Sequence, residues 1–344
     1  MAGDRGKAYL SRTRKTSVNI YRSVRAVAGA SGDGPLDWGA VTEAAKAASQ
    51  KGSLDLAPGE REGYARDVAA ARDRVGEVAG VDFDLPDTVE IQHRHHWIDA
   101  NVATFERVFE PLEEATDTGL VPGVARVVNT GSMSVALAFF ARNVLGQYDP
   151  LLLADVDPGE HGLYFVRPNI LSAAEELDAD YDRFRRWIAF HEVTHAAEFA
   201  AAPWLGDHME RNMRESIEQV AEQVADGNAL STPSMELDSV MATMTAVEGY
   251  AELLMDRAFD EEYDDLRAKL DARRGGGGPV TRLLRRALGV DMKREQYERG
   301  REFFEAVVDA RDMTAASAVW DRPENIPSDA EYENPQAWID RVHG

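Results

Sequence analysis

The chain has 344 residues, 44% of them hydrophobic, enough to bury a sizeable interior, so global disorder is excluded. It has no cysteine, which rules out disulfides, thiolate zinc sites, iron-sulfur clusters and cysteine nucleophiles, and leaves His, Asp and Glu to hold any metal. With 61 acidic against 38 basic residues the formal charge is -23, a poor match for the phosphates of nucleic acid.

The N-terminus is basic (Arg5, Lys7, Arg12, Arg14, Lys15), but Arg22 and Arg25 interrupt the apolar stretch from Val18 to Ala30, so no signal peptide is expected. Nowhere do 18 apolar residues run together; a membrane span is not expected and a cytoplasmic location is. Turn formers occupy 31–37 and 52–59, with an Ala-rich helical stretch between them. The first 145 residues read as mainly helical, including a buried helix from Met133 to Val144 that ends near Gly146. Two short apolar runs follow, Tyr148 to Ala154 and Leu163 to Val166, and the turn-rich segment between them predicts a small antiparallel hairpin.

Helical patterns then cover 173–202, stopped by Pro203, followed by 207–226 and 235–259. Gly275 to Gly278 and Pro279 form a flexible break, a helix spans roughly 293–311, and the proline-punctuated tail from Trp320 is expected to wrap irregularly over the body. The chain thus divides into a helical region, 1–145, a core, 146–274, and a C-terminal helix with its tail, 275–344, unless all three form one compact domain. The fold class is α+β and predominantly helical, with a small antiparallel sheet near the helix that carries the chemistry.

That chemistry begins at Phe190-His-Glu-Val-Thr-His195, an H-E-x-x-H pattern inside a helix. The spacing puts His191 and His195 one turn apart on one side, where both imidazoles reach a single ion. Glu192 lies about 100° around the helix from His191, able to address a water without ligating the metal. Composition alone would produce the pattern in roughly 2% of such chains. Phe184, Trp187, Ile188, Phe199 and Ala202 share the histidine face, so the pair should point inward.

A catalytic zinc site needs a third protein ligand and an open position. The glycine and third histidine of the extended metzincin pattern are replaced by Glu198 and Ala201. Glu248 is the better candidate, because it interrupts an apolar stripe of Leu237, Met241, Met244, Ala251, Met255 and Phe259. A carboxylate there needs a cation, zinc or else an arginine. Glu252, one turn on, is placed to accept a hydrogen bond from the distal nitrogen of a ligating histidine, and Glu198 is the reserve third ligand. His208 reads as a residue of a helix start, and His93, His95 and His96 as solvated or packing histidines. Tyr164 and Tyr250 read as structural before catalytic.

These motifs, with the lead-in Phe184-Arg-Arg-Trp-Ile-Ala-Phe, Pro203-Trp-Leu205, Val247-Glu-Gly-Tyr-Ala-Glu-Leu-Leu-Met-Asp256, Leu163-Tyr-Phe-Val-Arg-Pro-Asn-Ile170 and Val319-Trp-Asp-Arg-Pro, resemble a zincin-like family of zinc-dependent metalloproteases associated with deazaflavin-coenzyme biosynthesis. The likeness covers most of 90–344. It implies a zincin-like α+β fold, with His191, His195 and Glu248 at the ligand positions and Glu192 at the catalytic one, and assigns no role to the His93 cluster. The expected function is a Zn2+-dependent, peptidase-like hydrolase acting on a peptide or small molecule, with no nucleic acid or membrane partner and an open oligomeric state. The alternative is a non-catalytic metal-binding or interaction protein.

Only six of the basic residues are lysine, and acidic runs at Glu175–Asp182 and Asp260–Asp265 suit the solvated surface of a protein from a salt-rich cytoplasm. Self-repulsion at this net charge should be relieved by screening, so the melting temperature should rise from low to molar sodium chloride. A flat or falling melting temperature would count against the halophilic reading.

Overall fold

The structure is a computed structural model that describes residues 20–30, 36–86, 88–116, 122–149, 162–225, 237–259, 263–274 and 290–344. In chain order the helices and strands are α1 (Ile20–Ala28), α2 (Trp38–Ala48), α3 (Glu60–Ala79), β1 (Thr88–Gln92), α4 (Arg94–Thr116), α5 (Pro122–Asn143), β2 (Gly146–Asp149), β3 (Gly162–Val166), α6 (Arg167–Glu176) and α7 (Tyr181–Ala201). They continue with α8 (Leu205–Ala225), α9 (Leu237–Ala258), α10 (Tyr263–Arg274), α11 (Val290–Ala310), α12 (Met313–Ser317), α13 (Asp329–Glu333) and α14 (Pro335–His343). Among the described residues no helix is long and apolar enough to cross a membrane.

The fold is predominantly helical around a three-stranded sheet of order β1-β3-β2. β2 and β3 pair antiparallel, with Tyr148 opposite Leu163, as the hairpin reading expects. The sheet is mixed, however, because β1 runs parallel to β3, with Ile91 opposite Phe165. β1 lies inside the stretch read as helical. Its Thr-Val-Glu-Ile-Gln sequence has the β-branched alternation of a strand, but its partner lies far along the chain and no local turn announces the pairing. Residues 150–154 of the predicted strand and the Gly275–Pro279 break lie outside the described residues.

Two further expectations are corrected. The helix predicted over 173–202 is two helices, separated by Leu177–Asp180, with Asp178 in the left-handed region at φ 49°. Asp180 restarts the chain as the N-cap of α7, its side chain accepting from the Arg183 N–H at 2.9 Å. The tail is also more regular than its prolines suggest. Two 3-10 turns, Ala318–Trp320 and Pro323–Asn325, lead into α13 and α14, and a Ser328/Glu331 capping box starts α13. Trp338 is fully buried and its indole N–H donates to the Asn325 carbonyl at 2.7 Å.

The main hydrophobic cluster draws residues from Tyr64 in α3 to Ile339 in α14, with α7 at its middle. α7 packs on α3, α6, α9 and β2, and buries Phe184, Trp187, Ile188, Phe190, Val193, Ala196 and Ala197, which lie all round it. A smaller cluster joins α2, α4, α5 and β3 through Val41, Trp97, Ile98, Leu137 and Val166. α9 crosses α11 with Gly249 against Gly300; a Cβ on Gly249 would overlap the Gly300 backbone, so the close approach requires glycine.

The start of α3 is tied to the β3–α6 junction by a buried ion pair. Arg167 donates through Nε to Glu60 Oε1 at 2.6 Å and through Nη2 to Oε2 at 2.9 Å, and the Ala57 N–H and the Tyr181 hydroxyl also donate to Glu60. Burial opposes the Glu60 anion, but these donors outweigh it and hold the carboxyl down at about 2. The folded value lies below the unfolded one, so the pair contributes stability above about pH 4.5, and this is lost as pH falls towards 2. Glu60→Gln should therefore cost about 3–5 kcal/mol at neutral pH, because it leaves Arg167 buried without its charge partner. In urea unfolding the gap between wild type and variant should shrink as pH falls from 7 to about 3. A gap independent of pH would show that the ion pair does not carry it.

Candidate metal centre

Three elements build the site: α7 supplies the histidines and Glu192, α9 supplies Glu248, and β2 supplies a backbone donor. Among the described residues His191, His195 and Glu248 form one group whose donor atoms all lie within 4.8 Å of one another. His191 Nε2 and His195 Nε2 are each 3.9 Å from Glu248 Oε2, so the two rings and the carboxylate face a common point. Their side chains are 18%, 15% and 12% exposed, enough for a small molecule to reach them. No arginine pairs with Glu248 among the described residues, and the histidines are its ion-pair partners.

The donor chemistry fits zinc. Ligand atoms about 2 Å from a tetrahedral zinc ion stand about 3.3 Å apart. The donor atoms, all within 4.8 Å of one another, would have to close in by up to about 1.5 Å to hold such an ion. Three protein donors would leave a fourth position open on such an ion, as catalytic zinc sites do.

The two rings are oriented differently. His191 stacks on Trp187, with ring centroids 5.5 Å apart and planes 10° from parallel. His195 Nδ1 lies 2.9 Å from Glu198 Oε2, one turn further along α7. Burial disfavours the His195 cation, yet the Glu198 hydrogen bond and the charges of Glu198, Glu248 and Glu192 push its pKa up to about 10. The surroundings therefore strongly favour positive charge at this place.

Glu192 is buried, and its Oε2 accepts the N–H of Tyr148 in β2 at 2.8 Å. Burial pushes its carboxyl up to about 7, against the pull of His195 and of that N–H. The backbone of Gly146 lies beside it: a Cβ there would fall 2.6 Å from both Cγ and Oε1 of Glu192. Sequence reasoning missed Gly146 and the Tyr148 N–H, because a backbone donor leaves no residue-type signal.

Glu252 Oε2 accepts from Arg267 of α10 at 2.8 Å, while the Nδ1 of His195 is bonded by Glu198. Glu198, the reserve ligand, stands at Nδ1 of His195, whereas the Nε2 of that ring faces Glu248. His208 contacts Asn212 and Thr243, and the Tyr250 hydroxyl donates to Ser317. His93 caps α4, its Nδ1 accepting from the His96 N–H at 2.9 Å, while His95 Nε2 bonds the Ser49 carbonyl at 3.0 Å.

The profile of the family described as zincin-like metallopeptidase matches residues 36–339. The chain is also similar to a solved protein from Chloroflexus aurantiacus, described as "a putative hydrolase with a novel fold". The two are 29% identical with a TM-score of 0.67, over 95% of this chain and 99% of the other. No curated protein matches. Neither likeness bears on the deazaflavin coenzyme.

The contact between β2 and Glu192 can be tested without a substrate. Gly146→Ala should destabilise the protein by about 1–3 kcal/mol through overpacking against Glu192. Combining it with Glu192→Ala should relieve most of that cost, a coupling read from a double-mutant cycle of urea unfolding. Strictly additive effects would mean that the two residues do not share this space.

Proposed function

We infer the function from a premise and a geometry: the chain belongs to the zincin-like metallopeptidase family, and its two α7 histidines meet Glu248 beside a buried glutamate. The proposed activity is zinc-dependent hydrolysis, with peptide bonds the favoured substrate and a small amide the other. The convergence of His191, His195 and Glu248 carries the reading. These three residues would hold the ion.

Bound there, zinc would supply a Lewis acid that acidifies a water and polarises the scissile carbonyl. Glu192 would accept the proton of the attacking water and hand it to the leaving amine. Its burial supports that role, since a carboxyl raised to about 7 is matched to proton transfer near neutral pH. The Tyr148 N–H fixes one carboxylate oxygen and leaves the other for the proton.

The two glutamates should respond oppositely to amidation. Glu248→Gln removes a charged donor and should lower zinc occupancy, from about one ion per chain in the wild type, by elemental analysis. Glu192→Gln should keep the zinc and lose at least about two orders of magnitude in the rate of peptide cleavage, screened on a mixed peptide library. Full activity in Glu192→Gln, or unchanged zinc affinity in Glu248→Gln, would overturn the respective assignment. A wild-type protein that binds zinc but cleaves no peptide or amide would favour a binding role.

A further inference from the structure

Glu198 takes no part in the proposed reaction, yet it is the most deeply buried acidic residue among those described, 1% exposed. Burying a carboxylate is costly unless its oxygens find partners. Only one does: Oε2 lies 2.9 Å from His195 Nδ1, while Oε1 is buried without a hydrogen bond. The stabilisation that keeps this group inside therefore has to come through the His195 ring.

The geometry of that ring shows how. Nδ1 is occupied by Glu198, and Nε2, across the ring, is 3.9 Å from Glu248 Oε2. In the neutral ring that a metal requires, a carboxylate accepting at Nδ1 places the proton on that nitrogen and leaves the lone pair on Nε2. The same bond fixes the rotation of the ring. His191 is held by stacking on Trp187 instead.

We propose that Glu198 is a positioning residue: it locks His195 in the Nδ1–H tautomer and in the rotamer that presents Nε2 to the metal. This rests on the metal reading above. The Glu198 carboxylate also makes the ring a stronger donor, an effect that typically multiplies metal affinity by about 10–100. The spacing is economical, since positions three apart on a helix are neighbours and His195 and Glu198 need no other element to meet.

The test compares zinc affinity, by competition with a chromophoric chelator, in wild type, Glu198→Gln and Glu198→Leu. The leucine variant should bind zinc about 10–100-fold more weakly. Glutamine keeps a hydrogen-bond acceptor and should restore part of the loss. The melting temperature of the metal-free protein should fall, more in the leucine variant than in the glutamine one, because the buried His195 ring loses its partner. Partial rescue by glutamine and the position of the His195 proton are the readouts that a merely structural role would not move. Nitrogen-15 NMR of the zinc-loaded wild type should show the proton of His195 on Nδ1.

Equal zinc affinity in all three proteins would overturn the proposal and leave the metal reading intact. A cobalt-substituted spectrum that changes its coordination in both variants would overturn it in favour of Glu198 as a direct ligand. A wild type that binds no zinc would overturn both readings. Should the leucine variant fail to fold, the glutamine variant decides: wild-type affinity with the His195 proton on Nε2 would overturn the proposal.

Discussion

The structure depends on the burial of α7. A helix covered on nearly every side cannot send its polar side chains to water, so each must find a partner inside the protein. Glu192 finds the Tyr148 N–H, Thr194 the carbonyl of Phe190, and Glu198 the ring of His195. The helix is thus bound to β2 by a catalytic candidate and to itself by a carboxylate–imidazole pair. These contacts let a single segment carry so many polar groups through the main hydrophobic cluster.

The electrostatic consequence is a concentration of negative charge around two imidazoles. Glu192 and Glu198 both have carboxyls raised to about 7 by burial, and Glu248 faces the histidines from α9. Burial opposes ionisation of Glu192 and Glu198, and a divalent cation is the economical remedy. Positive charge elsewhere in the interior is committed to other tasks. Arg167 is paired with Glu60, and Arg185 with Asp67 and Asp182 along the α3–α7 contact.

The part of the site carried by helical spacing was legible in the sequence. Residues three or four apart on a helix must be neighbours, so the pairing of His191 with His195 follows from the motif alone. Glu248 was legible for a different reason, as a carboxylate in an apolar stripe, where an unpartnered charge is too costly. Glu252 looked equivalent one turn on, but its partner depends on where α10 packs, which no local pattern encodes. β1 was hidden by its distant partner, and the break between α6 and α7 by the lack of any glycine or proline at Leu177–Asp180. Gly146 and the Tyr148 N–H act through backbone, where composition is silent.

The crossing of α9 and α11 at Gly249 and Gly300 bears on how the protein can move. Two backbones in direct contact form a notch, and sliding either helix along its axis would drive a bulkier neighbouring residue into it. Shear between packed helices, one of the two common ways in which enzymes close, is blocked at the residue next to Glu248. The α9 side of the metal group is an anvil. Any movement of α9 must therefore carry α11 with it.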